Sequence, residues 1–129
     1  MEILLDTCTF LWIITDDKRL TKKARTAFSN TENRVYLSAV SAWEIAVKNS
    51  LGKLPLPEDP LIYIPRKREE HKISQLDIRE DAALHLSKLP LIHKDPFDRI
   101  LICQCIVSGL TILTPDPLIH RYPVKYLWR

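Results

Sequence analysis

Short continuous apolar runs alternate along the chain with longer segments in which apolar residues recur at helical spacing. The runs are typical of strands buried on both faces of a parallel sheet, and the strand candidates are 2–6, 34–37, 72–76, 111–113 and the edge strand 124–128. The helical spacing predicts helices over 10–14, 21–29, 38 or 41 to 50, about 60–70, 79–89 and 96–108. Strands that alternate with helices indicate an α/β fold, in which helices cover both faces of a mostly parallel sheet of four or five strands.

The helix predicted at 96–108 begins with two aspartates and is otherwise almost entirely apolar. Pro96 suits the first helical position, which makes Asp95 the N-cap and Asp98 the third helical residue. Capping of free N–H groups accounts for this pair if it is considered alone. A chemical role therefore depends on whether other acids lie nearby.

Two further aspartates follow strand candidates directly. Asp6 ends the first run, and Asp116 comes just after 111–113. Ligands of open α/β sheets bind at the carboxyl ends of the strands. Because the helix at 96–108 leads straight into strand 111–113, its N-terminus should lie at that same edge. We therefore expect Asp95 and Asp98 to share the edge with Asp6 and Asp116.

Glu44 is a fifth acidic candidate because it lies within an apolar stripe, where an unpaired carboxylate is costly. The predicted stripe of this helix consists of Val40, Trp43, Val47 and Leu51. Two structural alternatives remain open. Glu44 could complete a capping box if Ser41 is the N-cap, or it could form a surface pair with Lys48, worth only about 0.3–0.5 kcal/mol.

Acids gathered at one point, without a Cys or His ligand set, favour the hard cations Mg²⁺ or Mn²⁺. Such cations assist hydrolysis of a phosphodiester. The charge balance agrees with a polyanionic substrate: of 19 basic and 16 acidic residues, removal of the five candidate acids leaves 11 acidic ones. Candidate phosphate contacts near the site are Lys48, Lys53, Lys94 and Arg99, although for each residue taken alone a solvated surface charge is the more common explanation.

Length and composition indicate one domain, 1–129, with a core of ordinary size. The opening apolar run is too short for a signal peptide or a membrane span, and three cysteines without a CxxC pair suit a reducing compartment. We therefore expect a cytoplasmic protein without a membrane partner. The four histidines show no ligand spacing, which predicts surface or core positions for His71, His85, His93 and His120.

Taken together and in this order, four groups of residues resemble the PIN-domain proteins, and within them the VapC-type ribonuclease toxins of prokaryotic toxin–antitoxin pairs. The resemblance extends over essentially the whole chain. Its motifs are Leu4-Leu5-Asp6-Thr7, the segment Leu37-Ser38-Ala39-Val40-Ser41-Ala42-Trp43-Glu44-Ile45-Ala46 with Leu51-Gly52-Lys53-Leu54, His93-Lys94-Asp95-Pro96-Phe97-Asp98-Arg99, and Leu113-Thr114-Pro115-Asp116.

The resemblance implies an endoribonuclease that depends on Mg²⁺ or Mn²⁺ and has a three-layer α/β/α fold. Matched by motif, the acidic quartet is Asp6, Glu44, Asp98 and Asp116, of which Asp6, Asp98 and Asp116 hold metal. Asp95 would cap, orient or ligate. The resemblance also implies a homodimer that acts on RNA and is inhibited by a small antitoxin.

One departure concerns the position two residues after the first acid, where many PIN domains carry Asn and this chain has Cys8. Thr7 or Thr9 could substitute for that polar contact. The same cysteine disfavours a phosphatase with Asp6 as nucleophile, since that chemistry normally requires a second Asp there. A non-catalytic RNA-binding or scaffold domain, in which the acids only cap helices, and a DNA nuclease both remain alternatives.

Overall fold

The computed structural model describes residues 1–129 and contains five strands and six α-helices. The strands are β1 Glu2–Leu5, β2 Arg34–Ser38, β3 Ser74–Leu76, β4 Thr111–Leu113 and β5 Lys125–Leu127. The helices are α1 Thr7–Ile14, α2 Lys22–Ser29, α3 Ala39–Ser50, α4 Pro60–Glu70, α5 Glu80–His85 and α6 Pro96–Ser108, with short 3₁₀ turns at Leu86–Lys88 and Ile119–Arg121. None of the helices is both long and apolar enough to cross a membrane.

All five strands pair in parallel, in the order β3-β2-β1-β4-β5. The parallel sheet predicted from the alternation of strands and helices is confirmed. Leu5 at the end of β1 is in register with Leu37 on β2 and with Leu113 on β4. The carboxyl ends of the three central strands therefore lie side by side, which brings the residues that follow them to one edge of the sheet.

The sheet separates two apolar cores, as a three-layer α/β/α arrangement requires. Successive side chains of a strand point to opposite faces, so Ile3 and Leu5 join one core while Leu4 joins the other. The first core packs the sheet against α1, α2, α3 and α4, and the second packs it against α6 and the segment around Leu89. From Ile3 to Leu5, β1 is thus fully buried on both faces, which explains the continuous apolar sequence there.

Helix α3 buries only part of the apolar stripe predicted for it. Trp43 is 58% exposed and Leu51 is 62% exposed, whereas the buried residues are Val40, Ser41, Glu44 and Ile45. The prediction was correct for Val40 and wrong for Trp43 and Leu51. The inner face of α3 lies partly against the polar residues at the carboxyl ends of the strands, where a carboxylate can be satisfied and a large indole is not required.

The start of α3 also decides between the two capping positions that the sequence allowed. Ser38 is the N-cap, and its hydroxyl accepts a hydrogen bond from the Val40 N–H at 3.0 Å. Ser41 therefore lies inside the helix, and a capping box between Ser41 and Glu44 does not form. Glu44 must be stabilised in another way.

Helix α6 begins and ends as its sequence predicts. Asp95 is the N-cap, Pro96 occupies the first helical position, and Gly109 ends the helix in the left-handed conformation at φ 69°. A left-handed residue at the end of a helix turns the chain sharply, and β4 starts only two residues later. This tight turn fixes the direction of α6 relative to β4, the strand that follows it.

Replacement of Gly109 by Ala should lower the free energy of unfolding by about 1–2 kcal/mol, because a Cβ atom disfavours the left-handed conformation. A Cβ atom at this position would meet nothing within 4 Å, so the cost is conformational and not steric. Urea unfolding followed by circular dichroism would measure it. Gly109→Asn, which tolerates this conformation better, should lose less; equal losses for Ala and Asn would contradict the explanation.

Candidate metal centre

Asp6 lies immediately after β1, where it caps α1 and is buried at 4% exposure. Its Oδ1 accepts a hydrogen bond from the Thr9 N–H at 2.8 Å, and its Oδ2 accepts one from the Thr114 hydroxyl at 2.5 Å. Burial raises the pKa of Asp6, against these hydrogen bonds, which lower it. The carboxyl group therefore caps α1 and also lies among the polar residues at the carboxyl ends of the strands.

Thr114 connects the ends of β1 and β4. Besides donating to Asp6, its Oγ1 accepts a hydrogen bond from the Asp116 N–H at 3.1 Å. The Oδ1 of Asp116 accepts a hydrogen bond from the Leu118 N–H at 2.9 Å. One buried hydroxyl thus links two of the predicted acids.

Asp98 points from the first turn of α6 towards the same place. Its Oδ2 lies 3.1 Å from the Nε2 of His93, and its side chain is 18% exposed. Burial, reinforced by repulsion from Asp95 and Asp6, raises the pKa of Asp98 to about 7, against the attraction of His93. An acid with this pKa is only partly ionised at neutral pH.

His93 stands between Asp98 and Asp116, and the prediction of a surface or core role for it was wrong. Its Nε2 donates to Asp116 Oδ2 at 2.8 Å, and one ligand atom each from His93, Asp98 and Asp116 lie within 4.8 Å of one another. The contact with Asp116 joins residues that are 23 positions apart. The His93-Lys94-Asp95 motif was the only sequence signal that could have indicated this position.

Glu44 reaches the same region from α3 and is 5% exposed. Its Oε1 accepts a hydrogen bond from the Thr7 hydroxyl at 2.6 Å, and its Oε2 pairs with Lys48 one helical turn later. The hydrogen bond to Glu44 raises the pKa of Lys48. The predicted pair with Lys48 thus exists, but its acidic partner is buried and not on the surface.

Asp95 serves the N-terminus of α6. Its Oδ1 accepts hydrogen bonds from the backbone N–H groups of Phe97 at 2.8 Å and Asp98 at 3.3 Å. Of the three roles left open for this residue, the geometry supports capping. Asp95 also contributes to the negative potential at Asp98.

The four basic residues predicted as phosphate contacts differ in their surroundings. Lys53 and Lys94 are exposed, and Lys48 is paired with Glu44. Arg99 donates to the Pro90 carbonyl at 3.0 Å and lies 3.3 Å from the Tyr122 hydroxyl. Its guanidinium group thus holds the loop that precedes α6.

Cys8 lies beside this site without taking part in it as a nucleophile. Burial, reinforced by the negative charge of Asp6, raises the pKa of Cys8 to about 12. The thiol therefore stays protonated at neutral pH, and a protonated thiol is neither a good nucleophile nor a good metal ligand.

The donor set at this edge fits a divalent cation. Asp6, Asp98 and Asp116 contribute carboxylate oxygens, which hard cations prefer. Asp98 accepts no hydrogen bond of good geometry from the protein, although its side chain is mostly buried. A cation would satisfy this carboxylate and offset the mutual repulsion that raises its pKa.

Three comparisons with known proteins identify the family and the fold of the chain. A PIN domain family model matches residues 3–125. Ribonuclease VapC16 of Mycobacterium tuberculosis is 36% identical over 63 residues, which are 49% of this chain and 45% of that relative. The aligned part thus spans less than half of the curated relative.

Two solved structures share the fold at low sequence identity. VapBC2 from Rickettsia felis, bound to a promoter DNA fragment, superimposes with a TM-score of 0.73 and 13% identity over 100% of both chains. VapBC-5 from Mycobacterium tuberculosis, a member of the VapBC family of toxin–antitoxin systems, gives a TM-score of 0.62 and 13% identity, covering 99% of this chain and 98% of that one.

The raised pKa of Asp98 makes stability depend on pH in a defined direction. A carboxyl group whose pKa is higher in the folded state binds protons more tightly there, so the free energy of unfolding falls as the pH rises from about 4 to about 7. The loss from one such group is at most about 1.4 kcal/mol per pH unit. In the presence of EDTA, Asp98→Asn should match the wild type near pH 4 and exceed it above pH 7, as measured by urea unfolding.

The exposed Asp81 on α5 provides the matched control. Asp81→Asn removes the same charge outside the site. Loss of its exposed ion pair with Arg79 should change the free energy of unfolding by only about 0–1 kcal/mol, and the pH dependence should follow that of the wild type. Parallel curves for Asp98→Asn and the wild type would show that Asp98 is not destabilised in the fold.

Proposed function

The chain belongs to the PIN domain family, and from this premise we propose that it is a metal-dependent endoribonuclease that hydrolyses RNA phosphodiester bonds. We propose further that it is the toxin of a type II toxin–antitoxin pair. The observation that carries the proposal is the convergence of Asp6, Asp98 and Asp116, from three separate elements, at the carboxyl edge of the sheet.

In this proposal Asp6, Asp98 and Asp116 hold Mg²⁺ or Mn²⁺. When bound, such a cation supplies Lewis-acid chemistry to phosphodiester hydrolysis. Glu44 completes the site or orients water, and its hydrogen bond from Thr7 fixes the direction of its carboxylate. Thr114 keeps Asp6 and Asp116 at a constant separation, because its hydroxyl binds both residues.

An RNA substrate is supported by the charge of the remaining surface. The chain has a net charge of +3, and outside the five candidate acids its 19 basic residues face only 11 acidic ones. A basic surface attracts a polyanion at long range, and the exposed Lys53 and Lys94 lie on the segments that follow α3 and precede α6. Phosphate contact by these lysines is part of the proposal.

The proposed partners are a small antitoxin protein and a second copy of the chain. The antitoxin is supported by the fold shared with VapBC structures, one of which belongs to a family of toxin–antitoxin systems.

Expression of the chain alone should stop bacterial growth, and co-expression of its antitoxin should restore it. Arrest that persists in the Asp98→Asn variant would contradict a toxicity based on cleavage.

Purified protein should cleave cellular RNA in the presence of Mg²⁺ or Mn²⁺ and should lose this activity in EDTA. Mutation of a residue that only supports a metal ligand typically costs about 10–100-fold in activity. Asp6→Asn and Asp98→Asn each remove a proposed ligand, so each should reduce the cleavage rate by more than that. Both variants should keep their circular dichroism spectra, because Asn preserves the shape of the side chain. Mapping of the cut ends would measure cleavage and its sequence preference.

Asp81→Asn, outside the site, should retain full activity in the same assay. Single-stranded DNA of matched sequence tests the alternative substrate, and preferential cleavage of DNA would contradict the proposed ribonuclease. Wild-type rates that are unchanged by EDTA would contradict the metal requirement. Binding of RNA without any cleavage would favour the scaffold alternative.

A further inference from the structure

His93 lies against the carboxylates of two of the proposed metal ligands at once. Its Nε2 lies 2.8 Å from Asp116 Oδ2 and 3.1 Å from Asp98 Oδ2. Asp98 belongs to α6, whereas Asp116 follows β4. The imidazole ring therefore bridges two elements whose relative position determines the geometry of the centre.

A backbone donor orients this ring and selects its tautomer. The N–H of Asp95 donates to the Nδ1 of His93 at 3.2 Å, so Nδ1 is an acceptor and cannot carry a hydrogen. The hydrogen of the imidazole must then be on Nε2, where it is donated to Asp116. A nitrogen that carries a hydrogen has no lone pair for a cation, so this geometry makes His93 a donor to Asp116 and not a metal ligand.

The loop that carries His93 is anchored independently of the acids. The hydroxyl of Tyr122, a residue only 4% exposed, accepts hydrogen bonds from the backbone N–H groups of Ile92 at 3.0 Å and His93 at 2.7 Å. Arg99 donates to the Pro90 carbonyl at 3.0 Å. These contacts fix the backbone of the loop from which the ring extends.

We propose that His93 is a positioning residue, which keeps Asp116 and Asp98 at the separation that a divalent cation requires. The inference rests on the proposed function, since it concerns the same centre. Hydrogen bonding to Asp116 Oδ2 restricts rotation of that carboxylate while its other lone pairs remain available. The polarised Nε2–H group also offsets part of the repulsion between the two acids.

The test measures Mn²⁺ binding to the purified protein without RNA, by isothermal titration calorimetry. His93→Ala should weaken Mn²⁺ binding by about 10–100-fold, the range typical for outer partners of metal ligands. His93→Gln should recover a large part of the affinity, because its side-chain amide retains an N–H donor. His85→Gln, a half-buried histidine on α5, is the matched control and should bind as the wild type does.

Pulsed electron paramagnetic resonance of the Mn²⁺-loaded wild type distinguishes a positioning role from ligation. The positioning role predicts no directly coordinated nitrogen, and a nitrogen coupling that disappears in His93→Gln would overturn it. Wild-type affinity in His93→Ala, or equal losses in His93→Ala and His93→Gln, would also overturn it. If the wild type binds no Mn²⁺ at all, the proposed metal-dependent function fails as well, whereas normal binding that is insensitive to His93 removes only this inference.

Discussion

Electrostatic repulsion among carboxylates is the constraint around which the carboxyl edge of the sheet is arranged. Most of the acids there are held by donors from the protein itself: Asp6 by Thr114 and Thr9, Glu44 by Thr7 and Lys48, and Asp116 by His93 and a backbone N–H. Asp98 lacks such a donor, and its pKa rises to about 7. The fold thus stabilises most of these carboxylates with its own donors and leaves Asp98 to be neutralised by a bound cation.

The elements of the fold could be predicted almost completely from the chain because their signals are local. A run such as Ile3-Leu4-Leu5 indicates a doubly buried strand, and the Asp95-Pro96 pair with Gly109 marks both ends of α6. The meeting of Asp6 with Asp116 also followed from a general rule, because the carboxyl ends of parallel strands share an edge. These arguments need only periodicity, capping chemistry and the direction of the strands.

Two features could not be predicted, for a common physical reason. The buried face of α3 was assigned by hydrophobicity, which favours an inward Trp43, whereas a satisfied polar edge allows Glu44 to point inwards and Trp43 to lie at the surface. The role of His93 depends on a contact with Asp116 across 23 positions and on a backbone donor from Asp95. Pairings of this kind arise from tertiary structure and leave no periodic trace in the sequence.

The hydrogen bond between Thr114 and Asp6 joins residues that are 108 positions apart, and this separation has a consequence for biosynthesis. During translation, β1 and β2 can associate early, but β4 and the acid that follows it leave the ribosome much later. Contacts between such distant segments close a long loop and form late in folding. A nascent polypeptide therefore carries an unfinished pocket until β4 and Asp116 have been synthesised, and the carboxyl edge of the sheet can be completed only after that point.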